Sequence, residues 1–429
     1  MTGASTGAWR NWLITACLVT TSAGAETLQE AWNIALTMDH GFQAVKEMTA
    51  AAAQQVQAAE AARLPALELG AGYIARDNAP GATTNVDGNP VEFPTGEKNN
   101  QFYNATVTLP LYTSGLVSNR IDSAKASLEA AQMDELSRLL DLKLRIAEAF
   151  VSALRTESGL EVAESHVTSL KAHVRDVQNR YEQGVVAQND LLAAQVELAD
   201  ARQIALQAAN QLDLAHAGYN RLLGRPLAQP VSLQNLSPKP ASKTLETLET
   251  LALTQRSELS SLTQQIQALR RQVKGIRAET GPQIALNGGY DFRENQFLAH
   301  EGVWSVTLGL QWSVFDGGVI RHQARATTRQ AIALQHQYED MVSIIKLEVR
   351  QAWLEAQETR KRIVVTESAI AQAEENLTVN RDRYENGLST NTEVLDAETL
   401  RTRSRNNHAN ANYDAALAIL HLRRAVGEL

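Results

Sequence analysis

Residues 303–318 read VWSVTLGLQWSVFDGG, and this pattern predicts a strand that ends in a tight turn. Apolar residues take alternate positions, namely Trp304, Val306, Leu308, Leu310 and Trp312, with Ser305, Thr307, Gly309 and Gln311 between them. Such alternation is typical of a strand with one apolar and one polar face. No proline follows Gly318. The sequence therefore predicts a helix over residues 319–385, about 100 Å long at 1.5 Å per residue.

The apolar residues of this helix follow a seven-residue spacing with one interruption. They are Ala324, Ala331, Tyr338, Ile345 and Ala352, then Ala356, Ile363, Ile370, Leu377 and Tyr384. The four-residue step from Ala352 to Ala356 is a stutter, which relaxes the supercoil of packed helices without breaking them. We therefore expect one continuous helix that packs against others.

The same strand, turn and helix occur a second time, 203 residues earlier in the chain. At this offset Leu111–Gly115 aligns with Val314–Gly318, and Tyr181 aligns with Tyr384. The heptad residues Ala153, Leu160, Val167 and Val174 also fall on Ala356, Ile363, Ile370 and Leu377. So many matches at one offset indicate a tandem duplication.

The duplication divides the sequence into two repeats of helix, strand, strand and helix. We expect a first repeat over 26–223, a proline-rich linker over 224–243 and a second repeat over 244–429. The predicted strands span 66–77, 101–112, 283–294 and 302–313, and the long helices span 117–182 and 319–385. Single helices are expected over 26–63 and up to residue 279, and residues 78–100 are expected to form an exposed loop.

The N-terminal residues have the features of a signal peptide over 1–25. Arg10 precedes the short apolar run Trp12–Thr20, and the small residues before Glu26 suit cleavage. The apolar run is too short to span a membrane as a helix. The alternative is that residues 14–17 form a lipobox and that Cys17 becomes a lipidated N-terminus.

The four strands need a partner for their apolar faces, because the helices lead away from them. About ten residues is the length of strand that crosses an outer membrane, and only a closed barrel satisfies the backbone there. Four strands cannot close a barrel, whereas three copies of the chain would supply twelve. The alternative is a soluble periplasmic coiled-coil scaffold or adaptor. A net charge of −8 with no basic stripe argues against nucleic acid as a partner.

The strand-to-helix junctions at 109–115 and 314–318, with the helix turns at 181–185 and 384–388, resemble the outer-membrane efflux protein family of TolC-like channels. The resemblance implies a mainly α fold with a transmembrane β-barrel: a homotrimer with a twelve-stranded barrel in outer-membrane lipid and a long periplasmic helical barrel. It implies a periplasmic adaptor and an inner-membrane pump as partners, for the export of small molecules. A type I protein secretion channel is the other implied function.

The resemblance also implies roles for residues at the two helix turns. Gly184, Val185, Gly387 and Leu388 correspond to the tips that adaptors bind. Glu393 and Asp396 correspond to an acidic pair, which in three copies would form rings that attract cations.

Asp190 and Tyr384 correspond to two members of the network that holds the tip closed. The arginine of that network is replaced by Ser389, so the resemblance implies either a weaker network or one formed differently, through Arg381 or Arg383. From the residues alone, Asp190 and Glu393 are equally consistent with favourable charges at a helix start. The tip glycines are likewise consistent with simple left-handed turns.

No arrangement of residues predicts an enzyme, a cofactor site or a metal site. His166 and His173 are expected to be solvated on a helix, and His408 and His421 lack partners at metal-ligand spacing. The Asp316-Gly317-Gly318 turn is not followed by the Gly-Lys-Ser or Gly-Lys-Thr of a phosphate-binding loop.

Overall fold

The computed structural model describes residues 24–236 and 243–429. Apart from Gly24 and Ala25, the predicted signal peptide lies outside the described residues, and so does Cys17. None of the helices in the described ranges combines the length and the apolar character needed to cross a membrane.

The described chain is mainly helical with a small number of strands, as the predicted fold class requires. Its elements are α1 (Leu28–Met38), α2 (His40–Ala61), β1 (Ala66–Ala75), β2 (Gly81–Val86), β3 (Asn89–Pro94), β4 (Asn99–Tyr112), α3 (Leu116–Glu182), α4 (Gln188–Leu222), α5 (Leu245–Gln255), α6 (Ser257–Ala278), β5 (Gln283–Arg293), β6 (Gly302–Gln311), α7 (Val319–Glu385) and α8 (Asn391–Val426).

The long helices α3 and α7 have the same length and the same boundaries relative to the repeat. Each contains 67 residues and runs without a break through the stutter. Each begins after a glycine with φ of 89°, Gly115 and Gly318 respectively. A left-handed residue is strained with a Cβ, so the glycines at the strand-to-helix junctions have a conformational reason.

The prediction of a single helix at the start of each repeat is wrong, because each of these segments forms two helices that are separated at equivalent positions. Asp39 separates α1 from α2 and Arg256 separates α5 from α6, each in an extended conformation with ψ near 111° or 114°. The Asp39 carboxylate accepts a hydrogen bond from the Phe42 backbone N–H at 2.7 Å, which caps α2. Arg256 lies buried between Glu258 and Glu348, at 3.0 and 2.9 Å. Side-chain contacts therefore stabilise both breaks without proline or glycine.

The exposed loop expected over residues 78–100 instead contains the β2–β3 hairpin. Asp87 and Gly88 both have positive φ, 50° and 83°, in the two-residue turn between the strands. Such a turn matches the twist of antiparallel strands. The extra length of the first repeat is therefore folded.

The other four strands form one antiparallel sheet in the order β1-β4-β5-β6. The strand register places apolar residues in rows across one face of the sheet: Leu69, Ala105, Tyr290 and Trp304; Leu67, Val107, Gly288 and Val306; and Leu109, Leu286 and Leu308. The opposite face carries polar residues, and the Thr108 hydroxyl lies 2.9 Å from Asn287 Oδ1. Trp304 and Val306 are each 79% exposed in the single chain. The apolar face is therefore uncovered within the described chain.

The helices hold the buried core, which is divided along their length. A cluster around Phe150 and Tyr219 joins α1, α3 and α4, and a second around Ile345 joins α5, α7 and α8. Smaller clusters around Val177 and Leu170 continue along the helices towards the turns at Gly184 and Gly387. The two turns thus lie at the far end of a packed helical body from the sheet.

Candidate functional site

The turns between α3 and α4 and between α7 and α8 have the same backbone hydrogen bonds. The N–H groups of Gly184 and Val185 donate to the carbonyls of Tyr181 and Arg180, both at 2.9 Å. The second turn repeats this pattern 203 residues later, with Gly387 donating to the Tyr384 carbonyl at 3.1 Å. This is a Schellman motif, which requires a left-handed residue after the helix.

The residue after each tip glycine is apolar and points into solvent. Val185 is 64% exposed and Leu388 is 69% exposed. The glycines themselves have φ of 72°, and a Cβ on either would meet nothing within 4 Å. The two tips therefore present a matched pair of exposed apolar side chains on tight turns.

Asp190 and Glu393 occupy equivalent positions in the first turns of α4 and α8. Thr390 caps α8 by accepting from the Glu393 backbone N–H at 3.4 Å, and the Ser389 hydroxyl hydrogen-bonds the Glu393 carboxylate. Asp396 lies exposed three residues further on, on the same side of the helix as Glu393. Within one chain, the contacts of Glu393 are therefore those of a favourable charge at the start of a helix.

The Tyr384 ring is buried at the tip between two residues of α3. Its centroid lies 5.8 Å from the His173 ring and 5.1 Å from the Arg180 guanidinium. Burial raises the pKa of Tyr384, and the nearby Asp190 carboxylate raises it further. The Tyr384 hydroxyl has no hydrogen-bond partner within residues 24–236 and 243–429. The structure thus brings Asp190 and Tyr384 together without joining them directly.

Of Arg381 and Arg383, only Arg381 makes side-chain contacts beyond the turn between α7 and α8. Arg383 donates to the Leu388 carbonyl at 3.1 Å, a contact that stays inside the tip. Arg381 donates to the Glu398 carboxylate on α8 and to the Ser169 hydroxyl on α3, the latter at 2.7 Å. Arg381 therefore links the two halves of the helical body.

His173 and His166 are buried, so the expectation that they are solvated is wrong. They are 5% and 8% exposed. His173 Nε2 lies 2.7 Å from Asn391 Oδ1, and the Asn391 amide donates to the Asp190 carbonyl at 3.0 Å. This chain of contacts joins α3, α8 and α4 at the tip.

The polar and charged groups around His173 come from three helices. They are Asp176 on its own helix, Arg381 and Tyr384 on α7, and Asn391 and Glu398 on α8. Burial is the largest effect and lowers the pKa of His173 below its ordinary 6.5, while the Asn391 hydrogen bond acts in the opposite direction. The imidazole is therefore neutral at neutral pH in this arrangement.

Two turns above the tip, Glu398 is completely buried among polar side chains. Arg381 and Arg401 flank its carboxylate, with Arg401 Nη2 at 2.8 Å, and the Ser169 hydroxyl donates to it at 2.6 Å. His166 lies beside this group. We call Glu398, Arg381, Arg401, Ser169 and His166 the Glu398 cluster.

Sequence reasoning missed Glu398, although one signal was available. Its neighbours Val394 and Ala397 belong to the buried stripe of α8, so a carboxylate at 398 falls next to core positions. A charged residue there requires a partner, because burying an unpaired charge is costly. Among the described residues, no three His, Cys, Asp or Glu side chains come together as a metal site.

Comparisons with known proteins agree over most of the chain. The model of the family described as outer membrane efflux protein matches residues 32–225 and 248–428. Outer membrane protein TolC of Vibrio cholerae is 23% identical over 429 residues, covering 97% of this chain and 94% of that protein. Alkaline protease secretion protein AprF of Pseudomonas aeruginosa is 25% identical over 307 residues, covering 68% of this chain and 63% of that protein. The crystal structure of VceC from Vibrio cholerae superposes with a TM-score of 0.78 at 18% identity, covering 93% of this chain and 96% of that one.

Proposed function

We propose, from the premise that this chain belongs to the outer membrane efflux protein family, that it is the outer-membrane exit duct of a tripartite pump that exports small molecules. The observation that carries the proposal is the four-stranded sheet with one uncovered apolar face and one polar face. Channels of this family are not enzymes, and we assign the chain no catalytic step.

The sheet is the part of the duct that lies in the outer membrane. The apolar face of the sheet is exposed in the single chain, with Trp304 and Leu308 79% and 67% exposed. Its two edge strands, β1 and β6, keep unpaired backbone groups in one chain. Those groups must be paired in hydrocarbon, so three chains joined edge to edge complete a twelve-stranded barrel. The long helices then extend into the periplasm, which makes the functional unit a homotrimer.

The tips are the end of the duct that meets its periplasmic partner. Val185 and Leu388 provide exposed apolar contacts on rigid turns at Gly184 and Gly387, which suits docking of an adaptor protein that connects to an inner-membrane pump. Exposed apolar side chains at the end of a long helical body indicate an interaction surface more readily than a solvated loop.

The acidic residues near the tips control which ions pass. Glu393 and Asp396 are exposed on one side of α8, and three copies around an axis would place six carboxylates at a narrow opening. Rings of carboxylates favour cations over anions. Asp190 and Tyr384 act at the closed tip, where the Tyr384 ring packs against His173 and Arg180 of α3.

A second candidate is the outer-membrane channel of a type I protein secretion system. The relative AprF is named for the secretion of a protease, and its alignment covers much of this chain. The same duct architecture serves both functions, so the difference lies in the inner-membrane partner. A soluble periplasmic scaffold is disfavoured, because it would leave the apolar face of the sheet in water.

Reconstitution of the purified mature protein tests the proposal. We expect trimers that insert into planar bilayers and give discrete conductance steps, and that co-purify with an adaptor and a pump from the native membrane. Co-purified partners that include a secretion ATPase in place of a small-molecule pump would favour the second candidate. A water-soluble monomer that never inserts would overturn both.

A further inference from the structure

We propose that the Glu398 cluster joins the α3/α4 hairpin to the α7/α8 hairpin in the conformation described here, and that breaking it opens the periplasmic tip. This inference rests on the proposed function, because it concerns the regulation of the same duct. It assigns the central role to Glu398, which lies about 10 Å above the start of α8, at 1.5 Å per residue.

The cluster lies where the two hairpins meet. Ser169 belongs to α3, Arg381 to α7, and Glu398 with Arg401 to α8. The Ser169 hydroxyl is hydrogen-bonded to Glu398 at 2.6 Å and to Arg381 at 2.7 Å, so one small side chain on the first hairpin contacts two of the three charged residues of the second. Below it, His173 on α3 lies 2.7 Å from Asn391 on α8, and Arg180 on α3 donates to the Tyr384 and Glu385 carbonyls on α7 at 3.3 and 3.2 Å. Loss of the Glu398 cluster would leave only the contacts near the turns to hold the lower ends of the hairpins together.

The cluster is specific to the second repeat, which argues against a role in helix folding. The residues 203 positions earlier than Arg381, Glu398 and Arg401 are Gln178, Gln195 and Leu198. The first hairpin thus folds with the same length and turn geometry but without these charges. Folding of such a hairpin does not require a buried ion pair.

The cluster is also incompletely satisfied, which suits a contact that must break. Arg401 Nε and His166 Nδ1 are buried atoms without hydrogen-bond partners within the described residues, whereas Glu398 Oε2 lies 2.8 Å from Arg401 Nη2. Burial lowers the pKa of both Arg401 and His166, as expected where charged forms lose water. Separating the hairpins would hydrate these atoms, so the gain in hydration offsets part of the lost contacts. A fully apolar contact in the same place would lack this compensation.

Two kinds of variant should change the channel in opposite directions. Glu398→Gln leaves two arginines without their carboxylate, and breaking a buried ion pair in this way is strongly unfavourable. We expect the open-to-closed ratio to rise by about tenfold or more. Replacing the whole charged group with apolar residues, as Arg381→Met/Glu398→Leu/Arg401→Met, should stabilise the joined state and reduce opening below that of the parent protein.

Ser169→Ala is the variant that separates joining from folding. It removes the contact with α3 and leaves Glu398 paired with both arginines, so the second hairpin keeps its charges in place. We expect opening to increase, by less than for Glu398→Gln. Thr168→Ala is the matched control, because the Thr168 hydroxyl donates only to the Glu164 carbonyl of its own helix at 2.9 Å.

The experiment is single-channel recording of each purified trimer in planar bilayers, with trimer assembly checked on unheated gels. Increased opening in Glu398→Gln and Ser169→Ala, reduced opening in the triple variant and no change in Thr168→Ala would support the inference. Equal opening in all assembled variants would overturn it, as would a triple variant that opens like Glu398→Gln. If Glu398→Gln fails to assemble, Ser169→Ala and the triple variant still decide. If the parent protein does not insert or conduct, the proposed function itself fails.

Discussion

Leu308→Lys should prevent assembly in the outer membrane, whereas Thr307→Lys should not. Leu308 is 67% exposed in the single chain and continues a row of apolar residues through Leu286 and Leu109. A lysine on the lipid-facing side near the bilayer midplane costs about 2–4 kcal/mol. Three copies give about 6–12 kcal/mol per trimer, which is comparable with the whole stability of an ordinary folded domain.

The assay for this pair is membrane fractionation followed by unheated gel electrophoresis. We expect Leu308→Lys to be absent from the outer membrane as a trimer. Thr307→Lys, on the opposite face one residue away, should retain the trimer, because its ammonium group would meet the water-filled side. Equal amounts of both trimers in the outer membrane would refute the assignment of the two faces.

The remaining predictions concern the tip. Neutralising Glu393 and Asp396 together should lower the cation preference, read as a smaller reversal potential in a salt gradient; an unchanged value would reject their role as a selectivity ring. Burial in the closed tip lowers the pKa of His173 below 6.5, whereas opening would hydrate the imidazole and allow it to bind a proton. Neutral His173 therefore stabilises the closed state above pH 6.5, and this stabilisation is lost as the pH falls through the lowered pKa. Acidification from about pH 7.5 to about pH 5.5 should therefore raise conductance in the parent protein and have a weaker effect in His173→Gln; equal pH profiles would exclude this histidine. Gly387→Ala should destabilise the chain by about 1–2 kcal/mol in chemical unfolding, because alanine resists the left-handed conformation at φ of 72°. Gly159→Ala, inside α3 with open space around it, should instead be neutral or stabilising, and similar losses for both variants would contradict the conformational explanation.

The sequence was sufficient to predict the architecture because its two periodicities are unusually clear. Alternation of period two located the strands around Trp304 and Tyr103, and heptad spacing located α3 and α7. The duplication then supported each assignment twice. The two helix turns could also be predicted, because Gly184 and Gly387, which the Schellman motifs require, are separated by the same 203 residues as the rest of the repeat.

The errors arose where side-chain contacts outweigh local pattern. The break at Arg256 depends on Glu348, which lies 92 residues away and contacts its guanidinium only in the folded chain. The β2–β3 hairpin could have been predicted from Asp87-Gly88, a strong turn signal that the polar composition of the segment obscured.

Burial of His166 and His173 could not be predicted in the same way. These residues are polar, and helical periodicity does not show which side of α3 faces α8. Only the three-dimensional contact between the hairpins shows that the polar residues there form a connected group. The tip residues Asp190 and Tyr384, which were predicted from the resemblance, lie near one another, and the roles proposed for them involve neighbours in a trimer.

The uncovered apolar face of the sheet can be tested most directly by the depth of Trp304 in a bilayer. A variant that keeps Trp304 and replaces the other three tryptophans after residue 25 with phenylalanine, at Trp32, Trp312 and Trp353, is reconstituted into vesicles of lipids brominated on their acyl chains. We expect strong quenching of Trp304 fluorescence by the brominated lipid and little quenching by iodide in water. Iodide quenching without lipid quenching would contradict this expectation, because the apolar face would then lie in water.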